Sequence, residues 1–144
     1  MKVYVRIIVL LAGIMSLTYC ASVGNRHPDY PNALESLRAA RSLIDQPATR
    51  YRTMAQDDAV EAINGAIREI KSAAIEVGSD TEQVPAAGEL SGQPGRFHDA
   101  LELLSKARVT IDQDEDYYFA STLRNHTLGH IDTAIQATRR ALVD

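Results

Sequence analysis

Apolar residues return at intervals of three and four over four stretches of the chain, the period of a helix with one face on a core. The first stripe is Leu34, Leu37, Ala40 and Ile44, and the second is Ala59, Ile63, Ala66, Ile67, Ile70, Ala73, Ala74 and Val77. The third is Phe97, Leu101, Leu104, Arg108 and Ile111. The fourth is Phe119, Leu123, Thr127, Ile131, Ala134, Ile135, Thr138 and Leu142. The punctuation agrees with these stripes. Asp29 can cap the first helix, and Pro31 suits its first turn, where no N–H is needed. Pro47 stops it, because proline cannot continue the hydrogen-bond ladder. Thr53 and Gln56 have capping-box spacing, Asp57 and Asp58 favour the positive end of the second helix, and Gly78 ends it. The stretch 79–95 is rich in Gly, Ser and Pro and has no period, so it reads as a linker.

The four stripes are two copies of one pair. Ala33–Gln46 aligns without gaps to Ala100–Gln113, with nine of fourteen positions identical, among them Leu34, Leu37, Ala40, Arg41, Ile44 and Asp45. One residue out of step, Ile63-Asn-Gly-Ala-Ile67 matches Ile131-Asp-Thr-Ala-Ile135. A shared register across both segments is a duplication. An amphipathic hairpin alone leaves its stripes wet, whereas two can bury them together. The expected fold is therefore all-α, a four-helix bundle of two tandem helical hairpins, about 29–78 and 96–143, within one domain over 25–144. Up-down-up-down is the expected order, with a simple reversal or a crossover at the linker both left open. Small residues such as Ala40, Ala66, Ala73, Ala107 and Ala134 predict close helix approach and a thin core.

Residues 1–22 stand apart. Lys2 and Arg6, an apolar run from Ile7 to Leu17, and the mixed exit Ser16-Leu17-Thr18-Tyr19-Cys20-Ala21-Ser22 have the layout of a secretory signal peptide, too short for a permanent span. Cys20 is the only cysteine, so no disulfide within the chain is available. Leu17-Thr18-Tyr19-Cys20 is similar to a bacterial lipobox, in which Cys20 would be lipidated, although Tyr19 replaces the usual small residue. Ordinary cleavage near Ser22 or Gly24, which discards Cys20, is the preferred reading, and lipidation of Cys20 is the alternative. The expected location is a periplasm, soluble or lipid-anchored.

The chain has 15 lysines and arginines against 19 acidic residues. Without Lys2 and Arg6 the basic count is 13 and the net charge −6. Such a surface repels nucleic acid, and a membrane is expected as a partner only through a lipid on Cys20.

Among candidate sites, His126-Thr-Leu-Gly-His130 puts two imidazoles one helical turn apart, a spacing that can chelate Zn or Cu. If the second hairpin turns near 114–115, His98 falls level with His130 and Glu102 level with His126. Glu102 points away from its own helix's stripe, so a two-histidine site at His126 and His130, with His98 as a weak supplementary ligand, is the better version. Asp112-Gln-Asp114 resembles the opening of a calcium loop, but Tyr117 and Leu123 stand where glycine and glutamate are required, and carboxylates at a helix start explain it. Tyr117-Tyr118-Phe119, with Tyr51 at the matching place in the first copy, reads as a plug of the core or the lining of a small end pocket. His27-Pro28-Asp29-Tyr30 fixes how the chain enters the first helix. Asn125-His126-Thr127 satisfies a glycosylation sequon but sits in a helix. Covalent-haem, di-iron, zincin and phosphate-loop motifs do not occur. A non-catalytic role in binding or structure is expected, with a protein partner or self-association, and low-capacity metal binding at His126 and His130 is the alternative.

The run His27-Pro28-x-Tyr30, Ala33-Leu34-x-x-Leu37-Arg38-x-Ala40-Arg41, Ala66-Ile67-Arg68-Glu69-Ile70-Lys71 and His130-Ile131-Asp132-x-Ala134-Ile135 resembles uncharacterised exported helical proteins of soil and environmental bacteria. More distantly, the repeated hairpin behind a leader is similar to periplasmic small metal-binding four-helix bundles. Those are far richer in histidine, so the likeness implies fold and location and little about function.

Overall fold

The structure is a computed structural model that describes residues 27–46, 52–79, 81, 95–113 and 116–143. The leader over 1–22, Cys20, Pro47, Tyr51, Asp114 and all but the ends of the linker lie outside the described residues. Four helices follow one another: α1 Tyr30–Asp45, α2 Met54–Glu76, α3 Arg96–Ile111 and α4 Tyr118–Ala141. The chain is all-α and forms a four-helix bundle; no strand occurs among the described residues.

The helix ends are fixed by the residues that the pattern singles out. Asp29 accepts from the Asn32 N–H at 3.2 Å, and Pro31 lies in the first turn of α1. Thr53 and Gln56 form a reciprocal capping box at 3.2 and 2.9 Å, a device that stabilises a helix start by about 1 kcal/mol. Gly78 ends α2 at φ +68°. The Ser79 and Gly78 N–H groups bond the carbonyls of Ala74 and Ile75 at 2.8 and 3.1 Å, the paired closure that glycine in the left-handed region permits. In α4 the buried hydroxyls of Thr127 and Thr138 donate to the Leu123 and Ala134 carbonyls at 2.9 and 2.8 Å. Two polar side chains are thereby accommodated on an apolar stripe.

The duplication recurs in the contacts. Arg41 of α1 donates to Asn64 Oδ1 of α2 at 3.0 Å, and its equivalent Arg108 of α3 donates from Nε to Asp132 Oδ1 of α4 at 2.7 Å. Each copy thus has one arginine rung at the same place. The carbonyl end of the first helix is also served from the second helix in each copy: Gln56 Nε2 reaches the Ile44 carbonyl at 3.3 Å, and its equivalent Arg124 reaches the Gln113 carbonyl. The Ile44 carbonyl is one of the acceptors that a helix end leaves without intrahelical partners, and Gln113 lies just past the C-cap of α3.

The order of directions differs from the expected up-down-up-down. Arg140 near the end of α4 pairs with Asp58 near the start of α2 at 3.3 Å, and His130 lies against Gly65. Moving forward along α2 therefore moves backward along α4, and the two helices are antiparallel. At the other seam, Arg96 at the start of α3 donates to the Gln46 carbonyl at the end of α1. The order is up-down-down-up. Around the bundle it runs α1, α2, α4, α3: α2 packs most extensively on α4 and α1 on α3, more than either helix on its hairpin partner. The two hairpins are thus related by an approximate two-fold rotation across the helices. The physical reason is the join. Thr81 follows the end of α2 and Gly95 precedes α3 at the opposite end, a distance set by the 23 residues of α2, about 35 Å. Fourteen residues extended at up to ~3.6 Å each can cover it, whereas a tight turn would have imposed a different arrangement.

The interior is thin, as the composition implies. Ala33, Ala40, Ala59, Ala66, Ala73, Ala100, Ala107 and Ala134 are fully buried, around Leu34, Leu37, Ile44, Ile63, Ile70, Leu104, Ile111 and Ile131. Arg96 is 7% exposed and lies over the Phe97 ring at 4.7 Å. Burial lowers its pKa from the ordinary value. Its charge meets the carbonyl end of α1, whose last turn has no basic residue of its own, so α3 supplies the cation that this dipole end favours.

Candidate functional site

The two histidines of α4 sit on the flank that faces α2. The Cβ–Cα bonds of a helix lean toward its N-terminus, so the ring of His130 is tilted back over the turn that holds His126. His126 is exposed and His130 is partly buried. The difference comes from Gly65 on the neighbouring helix. A Cβ built at Gly65 would stand 2.7 Å from both Cε1 and Nδ1 of His130, so the ring rests on bare backbone where any other residue would intrude. In the first copy the equivalent of His130 is Ala62, and in the second the equivalent of Gly65 is Thr133. The imidazole-on-glycine contact is therefore particular to one side of an otherwise symmetric seam. Neither histidine has a hydrogen-bonding or ionic partner among the described residues.

His98 does not join them. Arg108 pairs with Asp132, so residues ten earlier on α3 stand level with residues about ten later on α4, near Leu142. That is some 12 residues, or about 18 Å, from His130. The expected level pairing assumed a turn at 114–115, whereas α4 begins only at Tyr118, and the longer connection shifts the register. Glu102 is displaced from His126 by the same shift. Among the described residues no group of three or more His, Cys, Asp or Glu is placed to hold a metal ion.

The aromatic run at the start of α4 also lies elsewhere than expected. Tyr117, Tyr118 and Phe119 are 51, 85 and 51% exposed, so they do not plug the core. Ala120 is the first residue of α4 that is fully buried, and the two helical residues before it, Tyr118 and Phe119, are exposed. Leu142 at the far end of the same stripe is exposed as well, and Leu123 is half-buried. Met54, Ile75 and Val143 are 82, 74 and 84% exposed, and all three lie at the ends of α2 and α4. The sequence carried a signal for Ile75 and Val143, which are equivalent positions of the two copies and fall outside both stripes. His27 stacks on Tyr30 with ring centres 6.1 Å apart, and Tyr30 is buried, so the His-Pro-Asp-Tyr turn does fix how the chain enters α1.

Comparison with protein-family models, with curated proteins and with solved structures finds no match to this chain.

The seam at Gly65 makes a specific energetic claim. Replacing glycine by alanine inside a helix gains up to ~1 kcal/mol of propensity, but here the new methyl must displace the His130 ring. Gly65→Ala alone is expected to give little or no gain in urea unfolding, and Gly65→Ala in a His130→Ala background to gain close to the full amount. Equal effects in both backgrounds would show that the ring does not rest on Gly65.

Proposed function

We propose that this protein is an exported, non-catalytic helical bundle that works by binding or by building structure in the periplasm. The observation that carries this reading is the placement of its surplus apolar side chains. Met54, Ile75, Tyr118, Phe119 and Val143 are each more than half exposed and stand at the two ends of the α2–α4 pair, with Val109 of α3 the one comparable side chain elsewhere among the described residues. Single exposed apolar residues are ordinary, but groups gathered at the ends of one helix pair suit contact with another surface. The leader-like run over residues 1–22 supports export. The absence of recognisable catalytic motifs from the sequence favours binding over chemistry.

A second reading is favoured by the pair His126 and His130: a low-capacity transition-metal site. Two imidazoles at this spacing, with no competing hydrogen bonds among the described residues, are available as ligands for Zn or Cu, with water or an outside group completing the shell.

Photo-crosslinking side chains placed at Met54 or Ile75 are expected to yield a discrete product, a second copy or an envelope component, when the protein is in its own compartment. The exposed polar control Lys106 should give none. No product at either apolar site, together with a monomer by light scattering, would contradict the binding role.

Calorimetric titration with Zn²⁺ or Cu²⁺ separates the second reading. A site present in the unaltered protein should vanish in His126→Ala/His130→Ala and persist in His98→Ala. Identical isotherms for the unaltered protein and the double variant would remove it.

A further inference from the structure

We propose that the end of the bundle bearing Tyr117, Tyr118 and Phe119 lies against a zwitterionic lipid surface, held there by the segment that precedes His27. This deepens the binding reading and rests on the interpretation of residues 1–22 as an export leader with Cys20 as its lipid-bearing residue.

The argument begins with topology. α4 starts at Tyr118, and α2, antiparallel to it, finishes at the same end. α1 is antiparallel to α2, because Gln56 near the start of α2 reaches Ile44 near the end of α1. The start of α1, and with it His27, therefore shares an end with the aromatic run. Ile75 belongs to that end too. It stands 17 residues past Asp58, and hence about level with Leu123, one turn from Phe119. Three of the chain's aromatic residues, out of 6 tyrosines and 2 phenylalanines, thus lie exposed where the chain leaves for its leader.

Length then restricts what that end can meet. Cys20 precedes His27 by seven residues, at most about 25 Å of extended chain. A lipid on Cys20 would keep this end, and no other, within that distance of the bilayer. Tyrosine and phenylalanine are the chemistry suited to such a place, since rings with an apolar body and, in tyrosine, a polar tip favour the headgroup region. Charge selects among lipids. Asp112 beside the run is already paired with Arg108 at 3.4 Å, the run itself carries no charge, and the chain as a whole is net negative at −4, so an anionic headgroup gains no attraction and a zwitterionic one suffices. The opposite end shows the contrast: its exposed large apolar side chains among the described residues, Met54, Leu142 and Val143, are aliphatic or thioether.

The test uses the full chain, processed in a bacterial cell, on phosphatidylcholine vesicles, with hydrogen exchange read by mass spectrometry. The reference is the Cys20→Ser chain in solution. Amides over 117–123 should exchange several-fold more slowly on vesicles, amides over 139–143 should be unchanged, and Tyr118→Ser/Phe119→Ser should abolish the slowing without loss of helicity. An anchored chain whose 117–123 amides exchange as in solution would overturn the inference and leave the export reading standing. A chain that never enters the vesicle fraction would overturn the inference together with the lipid reading of Cys20, and would leave export by ordinary cleavage standing. Slowing that appears without lipid as protein concentration rises would assign the aromatic run to self-association, and would also overturn it.

Discussion

The burial of one hairpin against the other is the interaction on which the rest of this structure depends. Within a hairpin the two helices touch less than each touches its counterpart across the bundle, so neither copy contains a core of its own. The stripes Leu34, Leu37 and Ile44, and Ile63 and Ile70, are dry only because Leu104 and Ile111, and Ile131, close over them. Much of the seam is alanine, which brings backbones near but removes little apolar area per residue. Stability is therefore spread over a long contact and has no single large anchor. The arginine rungs add little to it: the Arg108 and Asp132 side chains are 38 and 46% exposed, and an exposed pair contributes about 0.5 kcal/mol. Their effect is on alignment, since a rung at the same height in each hairpin gives both copies the same spacing to present to each other.

A duplicated chain folded with two-fold symmetry places every interaction twice unless the copies have diverged. The rungs at Arg41 and Arg108 and the carbonyl caps from Gln56 and Arg124 have been kept in kind. The departures lie elsewhere. His130 stands where the first copy has alanine, Gly65 where the second has threonine, and Tyr117-Tyr118-Phe119 where the first has Thr49-Arg50-Tyr51. Structural demands act alike on the two copies. Differences that leave the core intact, at positions that touch solvent or a single neighbour, are the natural place for a function that belongs to only one of them.

Much of this was legible in the sequence, and the limits have physical causes. The helices, their caps at Asp29, Thr53 and Gly78, and the duplication follow from local chemistry and a 3.6-residue period, which tertiary context did not override. The direction of the second hairpin was not legible, because the same stripes can be buried whether the copies are related by translation or by rotation. Only long-range pairs such as Asp58 with Arg140, and Arg96 with Gln46, tell the two apart. The register of the second hairpin failed for a related reason: a turn placed at 114–115 ignores the extra residues before Tyr118, and that shift separates His98 from His130. Hydrophobicity misled at Tyr117–Phe119, since it records what a side chain gains from burial and not whether a neighbour is present to bury it. Gly65 gave no sign of its role, because what it admits comes from another helix.

The two-fold relation between the hairpins is tested most directly by distances between paired spin labels in a Cys20→Ser chain. Labels at Asp58 and Arg140 should lie side by side across the α2–α4 seam. Labels at Asp58 and Asn125 should be separated along the axis by a further 15 residues, about 22 Å. The reverse result, a short distance to Asn125 and a long one to Arg140, would mean that the hairpins run parallel and that the seam described here is wrong.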